Sequence, residues 1–193
     1  MRIVAGEFRG RRLEAPKGDA TRPTTDRVRE AVFSALSSIA GPSLGGGAAL
    51  DAFAGTGALG LEALSRGIDS VTFVEQDRAA LAAIRRNIET LGAEDRTTVV
   101  VGDSLARAAT GSLPGGPFAL LLLDPPYRLD AGEVAMMISQ LVVHDLLGDE
   151  ALIMLERASG TTVIWPAGVS VLTEKRYGTT AVDIAVYERG EGS

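Results

Sequence analysis

No cysteine occurs in the 193 residues. That excludes disulfides, thiolate metal sites and covalent catalysis through a thiol. There is one histidine, His144 in LVVHDLLG. Without companion ligands it reads as a structural residue near a helix end, and no metal site is expected. Aromatic residues make up 5% of the chain, so the core has to be built mainly from aliphatic side chains. No run approaches the roughly 18 apolar residues of a membrane-spanning helix, and MRIVAGEFRGRR has no signal-peptide apolar stretch. A cytoplasmic protein without membrane contact is the expectation. Repeats and low-complexity stretches are missing as well.

Positive charge is scarce overall (net −6) but not evenly so. Residues 1–33 carry eight Lys/Arg against five acids, whereas the other 160 carry 11 against 20. A basic segment on an acidic body suggests one local contact with a polyanion; a solvated charged arm has the same composition. Length and apolar content fit one domain with a small appendage.

Arg2–Ala5 and Arg11–Ala15 read as two short strands around Gly6–Gly10, a hairpin that lies against the body or waits for a partner. Residues 16–23 form a polar connector, and Thr24 or Thr25 caps a helix whose apolar positions run from Val28 to Ile39. Strands and helices then alternate, which argues for a mostly parallel sheet covered on both faces. Strands are predicted near 48–51, 70–75, 97–101, 118–123, 152–156, 170–175 and 181–187. The last two, joined at Tyr177-Gly178-Thr179, make an antiparallel pair.

The chain is organised around LDAFAGTGALGLEALSRG, Leu50 to Gly67. Gly55, Gly57 and Gly60 have the G-x-G-x-x-G spacing that follows the first strand of a nucleotide-binding βαβ unit. Glycines there allow a tight turn and close approach of a ligand, and the following helix presents its positive end to an anionic group. Alone, such a turn can equally serve only to pack a helix on a strand. Four successive strands, however, end in an acid: Asp51, Glu75, Asp103 and Asp124. Carboxylates suit poorly a ligand rich in phosphates. They suit one presenting an ammonium, ribose hydroxyls and an adenine amino group, as S-adenosylmethionine does. In that pose Asp51 faces the ammonium side, Glu75 the ribose and Asp103 the adenine.

Asp124-Pro125-Pro126-Tyr127 is the second signal. Proline has no N–H and holds the preceding residue extended, so the turn presents acceptors on a stiff backbone. The Asp124 carboxylate and Pro125 carbonyl suit the two N–H bonds of an exocyclic amino group, a poor nucleophile that needs aiming. Tyr127 is placed to stack on a base turned out of its helix.

These motifs together (DAFAGTGALGLEALSRG, FVEQD, GDS, DPPY) resemble those of class I, Rossmann-like S-adenosylmethionine-dependent amino-methyltransferases. RIVAGEFRGRRL, TRPTTDRVREAVF and EKRYGTT resemble, more narrowly, the bacterial 16S ribosomal RNA guanine-N2 methyltransferases of the RsmD type. The resemblance runs from Arg2 to Tyr187. It implies a seven-stranded, mostly parallel sheet with the last strands antiparallel, plus an N-terminal hairpin arm. It implies a basic arm over residues 1–20 and a methyltransferase domain over 21–193. Cofactor contacts are implied for Asp51, Phe53, Ala54, Gly55, Thr56, Gly57, Glu75, Gln76, Asp103, Ser104 and Asp124, and catalysis for Asp124, Pro125, Pro126 and Tyr127. Arg9, Arg11, Arg12, Arg22, Arg27 and Arg29 are expected to meet 16S ribosomal RNA, free or within an assembling small subunit, and a monomer is expected. Because the sheet starts only near Ala48, the domain is expected to fold without residues 1–15.

Three other readings stand at this point. Glu75, 18 residues after Gly57, matches a dehydrogenase fingerprint, but that leaves DPPY without a role. A non-catalytic RNA-binding module would not need DPPY either. DNA adenine or a protein glutamine amide would present the same NH2 group as guanine.

Overall fold

The computed structural model describes residues 1–15, 26–41, 44–126 and 128–190. The expected connector 16–23, the helix caps Thr24 and Thr25, Arg22 and Tyr127 lie outside the described residues. The order of elements is α1 (Asp26–Ala40), β1 (Ala48–Asp51), α2 (Ala58–Ser65), β2 (Ser70–Glu75), α3 (Arg78–Leu91), β3 (Thr97–Val101), α4 (Ser104–Ala109), β4 (Phe118–Leu123), α5 (Ala131–Val143), β5 (Leu147–Ala158), β6 (Val169–Tyr177) and β7 (Thr180–Tyr187).

All seven strands form one sheet in the order β3-β2-β1-β4-β5-β7-β6. The first five pair in parallel, and β7 enters antiparallel between β5 and β6. The continuous apolar run of β4 follows from its central place. Leu120 and Leu122 face the core beneath α1, α2 and α3, while Phe118, Leu121 and Leu123 face the core beneath α4 and α5. Helix ends follow local chemistry. The Asp77 side chain accepts from the Ala80 N–H at 2.9 Å and caps α3, and Gly92 closes it at φ 65°. Asp130 and Glu133 form a reciprocal capping box on α5. β5 begins earlier than the predicted 152 because a register shift lets Leu147 pair with Phe118 before Leu152 meets Leu120.

The two limbs of the N-terminal segment meet at an antiparallel bridge, Arg2 to Arg12, and the N–H groups of Leu13, Ile3 and Gly10 donate to the carbonyls of Met1 (3.1 Å), Arg11 (3.0 Å) and Ile3 (2.9 Å). The segment is also held by the body. Ile3, Phe8 and Leu13 are buried in the core under α1–α3. Buried Glu62 of α2 accepts the N–H groups of Val4 (2.8 Å) and Ala5 (3.1 Å) and pairs with Arg66 at 2.7 Å. Ser65 accepts the Phe8 N–H and donates to the Ala5 carbonyl. Gly6, at φ 82°, lies so close that a Cβ there would sit 1.7 Å from the Ser65 carbonyl oxygen.

Candidate functional site

The glycine turn leaves β1 at its carboxyl end, and each glycine does a different job. Gly57, at φ 77°, starts α2 in a left-handed conformation. A Cβ on Gly60 would lie 2.4 Å from the Phe73 ring, so this glycine brings α2 down onto β2. Gly55, at φ 52°, faces open space: a Cβ there would meet nothing within 4 Å. Of the three, Gly55 leaves the open side of the turn, Gly57 turns the chain against the core side chains of Phe73, Ile84 and Leu61, and Gly60 sets helix–sheet packing.

Two of the strand-end acids bond to this turn and the helix it starts. Glu75 at the end of β2 accepts three backbone N–H groups, from Gly55, Gln76 and Asp77, each at 2.8 Å. Two carboxylate oxygens offer about four lone-pair sites, so Glu75 ties the turn to β2 and keeps acceptor capacity for a hydroxyl. Asp51 at the end of β1 is fully buried. One oxygen accepts the Gly60 N–H at 2.9 Å, taking an N–H that α2 cannot satisfy internally. Its Oδ1 has no hydrogen-bond partner among the described residues. Burial raises its pKa from 3.8 to about 7, the Gly60 N–H opposing and the nearby Glu75 charge adding to the shift. Asp103 is exposed and caps α4 through the Ala106 N–H at 2.9 Å. Ser104 donates to the Ala52 carbonyl, and the Gly102 N–H reaches the Glu75 carbonyl at 2.9 Å, so the carboxyl ends of β1, β2 and β3 are laced together.

Asp124 and Pro125 follow β4, the strand beside β1, in half-buried positions, and the Pro126 carbonyl accepts the Leu129 N–H at 2.9 Å. Phe53 is half-buried and Ala54 buried between these strands; Gln76 is exposed. A buried carboxyl with one oxygen unpaired suits a ligand cation or ammonium. The donor set fits S-adenosylmethionine: the unpaired oxygen of Asp51 suits an ammonium, the spare acceptor capacity of Glu75 suits hydroxyls, and Gly55 leaves open space beside them. Among the described residues no group of three or more potential metal ligands occurs. A cavity of about 500 Å³ between residues 5–7, Leu64–Asp69 and Arg96 lies at the opposite, amino end of the strands. It has no part in this site.

The arginines divide. Arg9, Arg11, Arg12 and Arg27 are exposed, and Arg11 donates to the Thr90 carbonyl. Arg29, expected to meet RNA, is fully buried, beside Glu62 at 3.7 Å and bonded to the Arg2 carbonyl. Its charge serves the interior, since a buried carboxylate needs a cation; it is removed from the surface set. Asn87 was missed. It lies on the apolar face of α3, three residues past Ile84 and four before Leu91, a polar residue where the pattern calls for an aliphatic one.

The sheet order separates this protein from the dinucleotide-binding dehydrogenases, whose parallel order 3-2-1-4-5-6 has no reversed strand between the fifth and sixth. Fold and site define a class I methyltransferase. The chain belongs to the family described as "Conserved hypothetical protein 95", whose model matches residues 1–186. It is 39% identical over 183 residues to the "Ribosomal RNA small subunit methyltransferase D" of Escherichia coli strain K12, covering 94% of this chain and 87% of that one. It is 33% identical to the Bacillus subtilis "Putative rRNA methyltransferase YlbH", over 98% and 99% of the two chains. The solved structure of "Putative methyltransferase yhhF" from Escherichia coli superposes with TM-score 0.79 at 34% identity, covering 97% of this chain and 98% of that one.

Proposed function

We propose that this protein transfers a methyl group from S-adenosylmethionine to the exocyclic N2 amino group of a guanine in 16S ribosomal RNA of the small subunit. The observation that carries the reading is that Glu75 bonds the glycine turn and Asp51 the start of the helix after it, with Asp124-Pro125-Pro126 following the adjoining strand. Bound there, S-adenosylmethionine supplies a sulfonium-activated methyl group. Asp51 ionises against the ammonium, and Glu75 accepts from the ribose hydroxyls while holding Gly55 in place. Asp124 and the Pro125 carbonyl accept the two N–H bonds of the guanine amino group and point the nitrogen lone pair outward. As the new N–C bond forms at the expense of the S–CH3 bond, with S-adenosylhomocysteine as the leaving group, the nitrogen becomes acidic, and its surplus proton would leave through the acceptor already bonded to it, Asp124. Tyr127 is assigned to stacking on the flipped base from its place in the sequence. Arg9, Arg11, Arg12 and Arg27 offer contacts to phosphates.

The names of the relatives support the acceptor, and guanine N2 follows from the resemblance of the N-terminal blocks. The test is methyl transfer from labelled S-adenosylmethionine to 16S ribosomal RNA and to small subunits from cells lacking the protein, followed by mass spectrometry of nucleosides. N2-methylguanosine is expected. N6-methyladenosine, or label found only in protein, overturns the reading.

A further inference from the structure

Asn87 is 1% exposed, and its carboxamide makes three hydrogen bonds. Its Oδ1 accepts the Glu14 N–H at 2.7 Å, and its Nδ2 donates to the Glu14 carbonyl and to the Thr56 carbonyl, both at 3.0 Å. The amide orientation is dictated by these partners: turned over, it would set oxygen against two carbonyls and NH2 against an N–H. One side chain thus joins segments far apart in the chain, the end of the N-terminal arm and the glycine turn. Thr56 lies between Gly55 and Gly57, and the peptide it shares with Gly57 is gripped at both ends. Its carbonyl is held by Asn87, and its N–H donates to Ala54 at 2.6 Å.

We infer that Asn87 is a positioning residue that couples the N-terminal arm to the cofactor turn, so that seating of the arm and binding of S-adenosylmethionine favour each other. This rests on the proposed cofactor reading. The physical reason is that glycine-flanked peptides are the most mobile part of such a turn. The Asn87 NH2 fixes the Thr56 peptide only while its oxygen and other hydrogen are held by Glu14; release of the arm leaves the carboxamide free to rotate. Coupling of two sites through one element is reciprocal. Cofactor in the turn should therefore slow exchange of the Glu14 amide.

The test uses the full chain with Asn87→Leu, which deletes all three bonds at similar volume. Asn87→Asp is the second variant; it keeps the acceptor for Glu14 but sets an oxygen against the Thr56 carbonyl. S-adenosylhomocysteine affinity by calorimetry, at a temperature where each variant is folded, should weaken roughly tenfold in both, since a buried carbonyl loses its donor. In methyl transfer, KM for S-adenosylmethionine should rise while kcat at saturation is largely kept. Saturating S-adenosylhomocysteine should slow hydrogen exchange at Glu14 in the wild type and not in Asn87→Leu. Should the Leu variant fail to fold, the Asp variant carries the same readings. Variant affinities within twofold of a wild type that binds, or Glu14 exchange indifferent to ligand in that wild type, overturn the coupling alone. A wild type that does not bind S-adenosylhomocysteine overturns the cofactor reading and the inference with it.

Discussion

At the scale of single residues, Asp51 carries an opposition between stability and binding. Its buried carboxyl titrates near pH 7 because burial disfavours the charge. A folded pKa above the unfolded value means that the proton is held better by the native state. Stability is therefore unaffected below about pH 4, falls as pH rises through the window from 4 to 7, and is lowest above it. Asp51→Asn removes the charge and keeps an acceptor for the Gly60 N–H. It should raise Tm over wild type at pH 8 and not at pH 4, while weakening S-adenosylmethionine binding. Melting curves at the two pH values with titration of the cofactor check both halves. Glu75→Ala should weaken cofactor affinity by on the order of 2–4 kcal/mol, because the turn loses its anchor together with the ribose acceptor. Unchanged affinity in the folded variant would falsify the assignment. Asp124→Ala, by contrast, should bind cofactor normally and lose roughly a hundredfold in kcat. A comparable loss of cofactor affinity would place Asp124 in binding instead.

At the scale of elements, the arm is the part that periodicity could not place. Strands and helices from β1 onward were legible because short apolar runs between turn signals mark strands covered on both faces, as in β2 and β4, and spacing near 3.6 marks α3 and α5. Ile3, Phe8 and Leu13 recur every five residues, and glycine turns carry them around α2 in a path that matches neither pattern. Glu62 was hidden for the same reason. Every residue from Leu59 to Ser65 is buried, since the sheet covers one side of α2 and the arm covers another. An acid in the middle of that run makes sense only once the backbone of Val4 and Ala5 is laid across it. At roughly 1.5–3 kcal/mol for each large apolar side chain, the three anchors amount to a large share of a typical domain stability. Removal of residues 1–15 should therefore lower Tm by well over 10 °C or prevent folding, contrary to the expectation from where the sheet begins. Gly6→Ala, which forces a methyl into the Ser65 carbonyl, should do much of the same damage with the whole arm present. A truncated protein that melts like the full chain would show that the arm merely rests on the surface.

At the scale of the whole molecule, the charge map and the packing ask to be separated. Net charge is negative, yet Arg9, Arg11, Arg12 and Arg27 stand exposed near the N-terminus while Arg29 is spent inside. Replacing Arg9, Arg12 and Arg27 with Gln leaves the buried anchors alone. The triple variant should keep its Tm and cofactor affinity, bind ribosomal RNA more weakly, and show a shallower dependence of log affinity on log salt. An unchanged salt slope would move the RNA contact elsewhere on the surface. Composition alone could reveal the asymmetry but not which arginine faces water, because that depends on the position of Glu62, thirty-three residues away from Arg29 in the chain.

The place of β7 bears on how the chain is made. It follows both its neighbours in the chain, yet it sits between them in the sheet, with β5 on one side and β6 on the other. Until residues up to Tyr187 have left the exit tunnel, β5 keeps an open edge and β6 has no neighbour to pair with. The opening residues, too, wait for α1, α2 and α3 before their anchors find a core. The anchors of the arm can find their core once α3 has emerged, whereas β5 carries an exposed, aggregation-prone strand edge until β7 follows.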